Sequence, residues 1–566
     1  MRGDFINSRI KLIGLFFAFF AAAIFARAVY LQVFDNSRLT IYADKQNREV
    51  LETPGIRGNI YDCKGRELAI SIVLPSVYAE TGKVKDKEDA AEKLSRELPE
   101  SRESILAKLN SGKSFVWLGR KIQDEAGRNI KSMKLPGITM VRESKRVYPR
   151  GRLLAHVLGA VSTDNKGLEG VELSMNDRLS GENGRVEAVK DAKGRIISSD
   201  DIVTKPAKDG DSIYLTIDEM IQYVTEKELD RTCQDFKAKG AVAVVMNTAT
   251  GEILSMAVRP GYDPNDLKSA NQASMKNQAV ASAYEPGSIF KIVALAAGLS
   301  EKVTNESEVI YCENGKWEVY KRNINDHIKY GNLTFRQIIE LSSNIGTAKI
   351  GQRLGPDRFY AYARSFGFGE KTGVQLAGEV RGTLREPSNW SGISSYIVPI
   401  GQEIAATPMQ LICALNVVAN GGKLLKPVLV KSVMDCENKL VEENTTKQVR
   451  QVVDPLIAKR MVSVLKGVIE EGTGKEAMVE GYSAAGKTGT AQKFDNATRK
   501  YSSDKYVSSF MGFVPADKPK IAILVSIDEP NKVYWGGSVA APCFSRIAKQ
   551  TLRYLEKEHY DLVKNN

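Results

Sequence analysis

The sequence predicts an α/β sandwich with a helical lobe inserted between its strands, preceded by a separate α+β region and one apolar helix. Strand-like segments at 241–246 and 252–258 are followed by a mostly helical stretch at 334–419 and then by strand-like segments at 482–492, 508–514 and 521–527. A run without charged residues lies near the N-terminus, at 12–26. The length of 566 residues exceeds one ordinary hydrophobic core, so two or three domains are expected.

The apolar run near the N-terminus has the features of a membrane anchor. Residues 1–11 carry three basic residues and one acid, and the apolar character continues to Phe34. At about 1.5 Å per residue, residues 12–34 extend about 34 Å, enough to cross a hydrocarbon core of about 30 Å. The positive-inside rule makes 1–11 a cytoplasmic tail and puts everything after residue 34 outside. Ala26-Arg27-Ala28 also fits a signal-peptide cleavage site, but the apolar residues beyond it favour an uncleaved anchor.

Residues 35–210 mix charged helical stretches with short strands, and a new pattern begins near Asp211. We therefore expect one domain at 35–210 and a second at 211–566. Within the first, Glu169 and Glu172 are spaced as a general acid/base pair would be. On an exposed helix start such acids are more often capping charges, and we interpret them so.

Composition excludes several classes of function. Lys and Arg number 80 against 68 Asp and Glu, a net charge of +12 that is dispersed along the chain. No basic arm, zinc-finger spacing or RNA-binding aromatic motif is present, which argues against a nucleic-acid role. The six cysteines form no C-x-x-C pair and indicate neither a disulfide framework nor a metal site. Of the three histidines only His327 lies near the candidate catalytic motifs described below. If a serine is activated there, a lysine is therefore a better candidate for its base than a histidine.

The first candidate catalytic motif is Ser288-x-x-Lys291. Pro286-Gly287 forms a turn, and the apolar residues 289–299 predict a buried helix that starts at Ser288. Residues three apart share a helix face, and burial favours the neutral amine of Lys291, which can accept the serine proton. The alternative is that Ser288 only caps the helix while Lys291 reaches solvent.

Two further motifs occur downstream in the chain. Ser342-Ser343-Asn344 forms a bend between two helices, an arrangement that ordinarily serves as a cap or turn. Lys487-Thr488-Gly489-Thr490 lies in a β-rich stretch, where the glycine permits a ligand to approach the backbone closely. A second Lys-Thr-Gly, at 371–373, has no flanking strand and is interpreted as a loop.

Each motif alone is weak, but their order matches the set that serine acyltransferases of the penicillin-binding type carry. The whole chain resembles the class B penicillin-binding proteins, most closely the septal, FtsI-type peptidoglycan transpeptidases. The other resembling segments are 27–32, Arg57-Gly58-x-Ile60-x-Asp62, Arg146-x-Tyr148-Pro149, Gly167-x-Glu169-Gly170-x-Glu172, 250–254, 262–265, 366–369, Thr407-Pro408-x-Gln410-Leu411 and Gly536-Gly537-x-Val539-Ala540-Ala541-Pro542. The chain departs from the family pattern at two positions. Ile289 replaces the threonine that usually follows the nucleophile. Cys63 replaces the arginine that usually follows the aspartate of the motif Arg57-Gly58-x-Ile60-x-Asp62.

The resemblance implies a transpeptidase domain, with a central antiparallel sheet and an all-helical lobe, after an elongated pedestal of the dimerisation type. It implies that Ser288 attacks the carbonyl between the last two D-alanines of a stem peptide, with Lys291 as the neutral base. The charge of Lys487 would lower the pKa of Lys291 further.

The resemblance also implies how the substrate is held. Ser342 would relay a proton to the leaving amine, and Asn344 would hold the peptide backbone. The terminal carboxylate would bind Thr488 and Thr490 beside Gly489, with help from Lys487. The backbone N–H groups of Ser288 and Thr490 would form the oxyanion hole.

Cofactors and metals are not required by this chemistry. The implied partners are stem peptides ending in D-Ala-D-Ala, β-lactams that trap the serine, an FtsW-type SEDS glycosyltransferase and other division proteins, at the bacterial cytoplasmic membrane. The alternatives left open are an elongation or sporulation homologue, a carboxypeptidase that differs only in its acceptor, and a β-lactam sensor or scaffold without turnover. A β-lactamase or a bifunctional class A enzyme fits less well, because the chain carries an anchor and pedestal but no glycosyltransferase segment.

Overall fold

The structure is a computed structural model that describes residues 2–35, 48–190, 196–495 and 500–565. It divides into two compact units, Met1–Ile56 with Gly181–Asp209, and Arg57–Ser180 with Gly210–Asn566. The domain boundary expected near residue 211 stays a prediction, because this division joins part of the first predicted domain to the second.

The elements have the following bounds. The helices are α1 (Arg2–Val29), α2 (Lys87–Ser95), α3 (Arg102–Leu109), α4 (Asp124–Ser132), α5 (Ala155–Leu158), α6 (Gly170–Ser174), α7 (Asn176–Leu179), α8 (Glu219–Phe236), α9 (Gln272–Met275), α10 (Gln278–Ala281), α11 (Lys291–Ser300), α12 (Phe335–Glu340), α13 (Asn344–Leu354), α14 (Pro356–Ser365), α15 (Ser394–Ile397), α16 (Pro408–Ala419), α17 (Pro455–Glu470) and α18 (Gly536–Asn565). The strands are β1 (Arg48–Thr53), β2 (Ile60–Tyr61), β3 (Glu67–Glu80), β4 (Phe115–Gly119), β5 (Ile138–Val147), β6 (Gly184–Lys190), β7 (Ile196–Lys205), β8 (Ser212–Leu215), β9 (Gly240–Asn247), β10 (Ile253–Arg259), β11 (Val309–Tyr311), β12 (Lys316–Val319), β13 (Arg322–Asn325), β14 (Asn332–Thr334), β15 (Lys423–Leu425), β16 (Val430–Met434), β17 (Leu440–Glu443), β18 (Gln448–Gln451), β19 (Ala485–Asp495), β20 (Lys500–Val514) and β21 (Ile521–Asp528).

The first unit contains the apolar helix and a small sheet. Helix α1 continues as a π-helical turn, Tyr30–Phe34, and the stretch Asn7–Phe34 reaches a mean hydropathy of 2.3 over its most apolar window. This stretch is long and apolar enough to cross a membrane, as predicted for 12–34, and the helix begins further toward the N-terminus than expected. The sheet has the strand order β1-β6-β7.

The second unit is built on a five-stranded antiparallel sheet with the order β10-β9-β21-β20-β19. The strands predicted at 241–246, 252–258, 482–492, 508–514 and 521–527 all belong to this sheet, which confirms the central antiparallel sheet. Strand β19 lies at its edge and pairs on one side only, with Lys487 opposite Met511. An edge strand leaves backbone groups unpaired for a neighbouring segment or a ligand.

The helical lobe lies in sequence between β10 and β19, as predicted. Helix α11 is its centre, and every side chain from Lys291 to Leu299 is buried. It packs in one hydrophobic cluster with α12, α13 and α16. A helix that is apolar on all faces needs neighbours on all faces, and this lobe supplies them.

A second sheet of seven strands has the order β17-β16-β8-β2-β3-β4, with β5 paired to β3. Beside it, Glu172 is completely buried and binds Arg57 and Arg146, each at 2.6 Å. The interpretation of Glu172 as a capping charge on an exposed helix start is therefore wrong. Two buried guanidinium groups require a buried carboxylate, and that requirement explains the acid.

Candidate active site

A single helical turn brings the first motif together. Residues Gly287–Phe290 form a 3-10 helix that leads directly into α11 at Lys291. Side chains three residues apart nearly eclipse each other in a 3-10 turn, so Ser288 and Lys291 lie on one face. Ser288 lines the cavity described below, whereas the Lys291 side chain is 0% exposed. Because Lys291 is fully enclosed, the alternative in which it reaches solvent is wrong.

The amine of Lys291 is held by the second motif. Its Nζ lies 2.7 Å from the main-chain oxygen of Ser342, 2.8 Å from Oδ1 of Asn344 and 3.3 Å from Oγ of Ser342. A carbonyl and an amide oxygen can only accept, so they use both N–H groups of a neutral amine. The lone pair of the neutral amine is then left for a hydroxyl proton.

The electrostatics of this pair favour a neutral amine near physiological pH. Burial lowers the pKa of Lys291 to about 7, against a smaller opposing effect of the nearby Asp326 carboxylate. Burial, together with the charge of Lys291, also lowers the pKa of Lys487 well below its usual value. The repulsion between the two lysines was expected to lower the pKa of Lys291; its effect falls on Lys487.

The bend that binds Lys291 has an unusual backbone. Ser342 has a φ of 61°, in the left-handed region that residues with a Cβ seldom adopt. The strain is offset by a dense set of bonds at the start of α13. Ser343 caps that helix through the N–H of Gly346, and Asp326 accepts hydrogen bonds from the next residues.

The third motif lies on the edge strand β19. A Cβ at Gly489 would stand 2.9 Å from Cγ2 of Ile289 and 3.3 Å from the main-chain oxygen of Pro286. The glycine thus permits close approach of the strand to the Ser288 turn. It had been expected to make room for a ligand.

The two threonines of that motif have different surroundings. Thr490 lines the cavity, and its Oγ1 accepts a hydrogen bond from the N–H of Gly536 at 3.0 Å, which leaves its own proton available. Thr488 is buried, and its hydroxyl contacts that of Thr473 at 2.7 Å. Among the described residues Thr488 is not part of the cavity lining, and Lys487 is 0% exposed behind it.

The cavity has a volume of about 1210 Å³. Of the predicted site residues, Ser288, Asn344 and Thr490 line it. Lys291, Ser342 and Lys487 are buried, each with less than a tenth of its surface exposed. Segments far apart in sequence therefore meet around one cavity.

Sequence reasoning placed His327 near the chemistry but missed the three aromatic residues that form a cavity wall with it, Tyr506, Tyr534 and Trp535. His327 stacks edge-on against Trp535 with ring centroids 4.5 Å apart, and Trp535 contacts Tyr534, which stacks on Tyr506. All four line the cavity. The signal for Trp535 was its position directly before the Gly536-Gly537 motif. Pairing of His327 with it depends on the fold.

The second Lys-Thr-Gly copy is a loop, as predicted. Thr372 and Gly373 donate backbone hydrogen bonds to Glu379, outside any strand. Among the described residues there is no group of three or more His, Cys, Asp or Glu side chains that could hold a metal ion.

Comparison with known proteins identifies the family of the chain. Residues 241–549 match the penicillin-binding protein transpeptidase domain, and residues 52–215 match the penicillin-binding protein dimerisation domain. Stage V sporulation protein D of Bacillus subtilis is 34% identical over 97% of this chain and 86% of its own length. The peptidoglycan D,D-transpeptidase FtsI of Escherichia coli is 29% identical over 98% of this chain and 93% of its own length.

Solved structures of penicillin-binding proteins are also similar to this chain. Penicillin-binding protein 3 of Mycobacterium tuberculosis, in complex with aztreonam, superposes with a TM-score of 0.71 at 27% identity. The match covers 89% of this chain and 97% of that one. The chain belongs to the penicillin-binding protein transpeptidase family, as a class B penicillin-binding protein and peptidoglycan D,D-transpeptidase.

Proposed function

We propose that Ser288 is the nucleophile of this transpeptidase and Lys291 its general base. The observation that carries the proposal is the hydrogen bonding of Lys291, whose two shortest contacts, at 2.7 and 2.8 Å, are to atoms that can only accept. A neutral amine held in this way keeps its lone pair for the serine proton.

The acylation half-reaction follows from these contacts. Ser288 Oγ attacks the carbonyl carbon between the last two D-alanines of the donor stem, and its proton moves to Lys291 Nζ. The resulting ammonium donates to Ser342 Oγ, whose own proton passes to the leaving nitrogen of D-alanine. The C–N bond then breaks, and the acyl group stays on Ser288.

The remaining site residues hold the substrate in this scheme. Asn344, on the cavity wall, is proposed to bind the donor peptide backbone through its amide. Thr490 offers its hydroxyl proton to the terminal carboxylate, with Thr488, Gly489 and Lys487 forming the strand behind it. The N–H groups of Ser288 and Thr490 would stabilise the oxyanion, each donor contributing about 3 kcal/mol to the barrier reduction.

Deacylation by the amine of a neighbouring stem peptide completes the cross-link. The amine attacks the acyl carbon, gives up a proton through the Ser342–Lys291 pair, and Ser288 leaves as its hydroxyl. A β-lactam presents a strained amide to the same serine and so forms a stable acyl-enzyme. The complex of a related protein with aztreonam supports this extension.

We further propose that the chain is a single-pass protein of the bacterial cytoplasmic membrane, with residues 1–11 in the cytoplasm and the catalytic unit outside. The apolar stretch Asn7–Phe34 and the basic residues of 1–11 support this orientation.

A septal role during cell division is our proposal for its cellular function, supported by relatives named FtsI that align over nearly the whole chain. An FtsW-type SEDS glycosyltransferase and other division proteins would then be its partners. The 34% identity to stage V sporulation protein D favours sporulation as the second candidate. A fluorescent fusion at midcell in growing cells supports the first role, and a fusion seen only around forespores supports the second.

The test of the chemistry compares two serines that share the Ser-x-x-Lys pattern. Ser288→Ala is expected to abolish both labelling by a fluorescent penicillin and formation of cross-linked dimers from nascent glycan. The matched control is Ser463→Ala, because Ser463 is followed three residues later by Lys466 and so has the same pattern. Ser463 lies in α17 and contacts Arg336. Ser463→Ala is expected to keep both activities. Label retained in Ser288→Ala would move the nucleophile elsewhere, and label without cross-linking in the unaltered protein would favour a sensor.

A further inference from the structure

The carboxylate of Asp326 lies at the N-terminus of α13. Its Oδ1 accepts hydrogen bonds from the N–H of Asn344 at 2.5 Å and of Ile345 at 3.1 Å. Its Oδ2 accepts from the hydroxyl of Ser343 at 2.7 Å. The Ser343 oxygen in turn accepts from the N–H of Gly346 at 3.0 Å, so the first three N–H groups of the helix are satisfied.

This arrangement exceeds what a helix start needs. A serine at the N-cap is sufficient for an ordinary helix, and Ser343 already occupies that position. Asp326 is contributed by a segment 17 residues upstream of Ser343, at the end of β13. The preceding residue, Asn325, accepts a hydrogen bond from the Asn344 side chain at 2.8 Å. The segment therefore fixes both the backbone and the side chain of Asn344.

The residues held by this segment are the ones that bind Lys291. Ser342 and Asn344 lie on either side of Ser343, and they supply the two short acceptors of the amine. Ser342 also has the left-handed φ of 61°, a conformation that persists only where the surroundings enforce it. Asp326 accepts hydrogen bonds from the hydroxyl of the next residue, Ser343, and from the backbone N–H of Asn344.

We propose that Asp326 is a positioning residue for acylation: it fixes the Ser342–Asn344 bend so that the Ser342 carbonyl and the Asn344 amide take both N–H groups of Lys291. The inference rests on the assignment of Lys291 as the base and deepens it. Asp326 lines the cavity, but its carboxylate oxygens accept hydrogen bonds from residues 343–345 of the bend and helix start, so in this role it acts through the bend.

The charge of Asp326 gives the role a signature of its own. The carboxylate raises the pKa of Lys291, in opposition to burial. Other titratable groups at this site include Lys487, His327, Cys312 and Tyr330. Burial and the charges of Lys291 and Lys487 lower the pKa of His327, whereas burial and the charge of Asp326 raise the pKa values of Cys312 and Tyr330. Asp326→Asn keeps the size of the side chain but removes its charge, so the pKa of Lys291 should fall. Acylation would then be slower at high pH yet extend to lower pH.

The experiment measures acylation by a fluorescent penicillin in the full-length, detergent-solubilised protein between about pH 5.5 and 9. Misplacement of the base is expected to slow Asp326→Asn by about 10- to 100-fold on the high-pH plateau. The acid limb of its pH–rate profile, which is the range where the rate falls as Lys291 becomes protonated, should move to lower pH. Ser343→Ala, which removes one bond to Asp326 but no charge, should be slower with the limb in place. Asp454→Asn is the matched control, because Asp454 is an aspartate that accepts a backbone N–H at a helix start as an ordinary N-cap, in α17. Asp454→Asn should leave both the rate and the acid limb unchanged.

Acylation of Asp326→Asn at the original rate overturns the inference. A lowered rate with an unmoved acid limb also overturns it, because that result indicates a structural cap only. If Asp326→Asn is unfolded at the assay temperature, Asp326→Glu and Ser343→Ala decide, and an unchanged plateau in both overturns it. Peptide-mapping mass spectrometry of the unaltered protein separates this result from the proposed function. Absence of an adduct on Ser288 refutes the function, whereas an adduct on Ser288 with insensitive Asp326 variants refutes only the positioning role.

Discussion

The side-chain nitrogen of Lys291 lies 2.7 Å from the main-chain oxygen of Ser342, a residue 51 positions further along the chain. This contact joins the turn that carries Ser288 and Lys291 to the bend of the second motif. The main-chain oxygen of Ser342 can only accept, so one N–H of Lys291 must donate to it. Lys291 then has a lone pair for a proton only when the amine is neutral.

The rate of acylation should depend on pH through Lys291. The pKa of Lys291 is lowered to about 7 by burial, and only the neutral amine can accept a proton. Below about pH 7 the rate constant for penicillin acylation should therefore fall about tenfold per pH unit, and above it the rate should level off. Melting temperatures over the same range provide the control for unfolding. A profile that keeps rising beyond about pH 9 would contradict a lowered pKa.

Ser342→Ala removes the relay but leaves the main-chain oxygen that binds Lys291. Acylation should slow by about 10²-fold, within the range usual for the loss of one acid–base group. The midpoint of the pH profile should stay in place, because a hydroxyl carries no charge. Stopped-flow measurement of both values checks this, and a shifted midpoint would mean that the hydroxyl tunes Lys291 instead of relaying a proton.

Gly489→Ala should move the edge strand β19 away from the turn Gly287–Phe290, which carries Ser288. The added Cβ would stand 2.9 Å from Cγ2 of Ile289, so one of the two segments must move. We expect a loss of acylation of about 10²-fold with a modest loss of melting temperature, because small displacements cost more in catalysis than in stability. Gly82→Ala is the control, since nothing lies within 4 Å of its Cβ position.

A double variant refines that test. Ile289→Ala removes the nearest clashing atom, so Gly489→Ala with Ile289→Ala should recover part of the lost rate. Equal rates for the single Gly489→Ala variant and the double variant would show that the strand is displaced by the backbone of Pro286, at 3.3 Å, and not by the Ile289 side chain.

Glu172→Ala should destabilise the second unit strongly. It leaves Arg57 and Arg146 buried without the carboxylate that binds both at 2.6 Å. Breaking a buried pair in this way costs about 3–5 kcal/mol in the free energy of unfolding, which chemical denaturation would measure. The neighbouring acid serves as the control: Glu169 is partly exposed, and Glu169→Ala should cost less than about 1 kcal/mol. Equal losses of unfolding free energy in Glu172→Ala and Glu169→Ala would contradict the role of Glu172 as the buried partner of the two arginines.

The proposed topology predicts which thiols a membrane-impermeant maleimide reaches in spheroplasts. Cys436 is exposed and lies in the second unit, so it should be labelled from outside, and Cys436→Ser should remove that label. In the Cys436→Ser background, a cysteine introduced by Asp4→Cys should react only after the membrane is permeabilised. Labelling of that cysteine in intact spheroplasts would reverse the orientation.

Much of the architecture was predictable because its signals are local. The apolar stretch, the buried helix after Ser288 and the strands of the central sheet all follow from runs and periodicities of apolar residues. The prediction for Glu172 failed for the opposite reason. Its surroundings are two arginines that are distant in sequence, and no local pattern distinguishes a buried acid at a helix start from an exposed one.

The sequence by itself determined the fold class, the apolar helix near the N-terminus and the order of the three motifs, because each depends on neighbouring residues. Only the tertiary structure decided how the motifs work together: the enclosure of Lys291, its two acceptors on the Ser342–Asn344 bend, the burial of Thr488 and the support from Asp326. Desolvation and hydrogen bonding depend on which distant segments surround a group. The lowered pKa of Lys291 is therefore a property of the packed molecule, although it depends on residues that the sequence specifies.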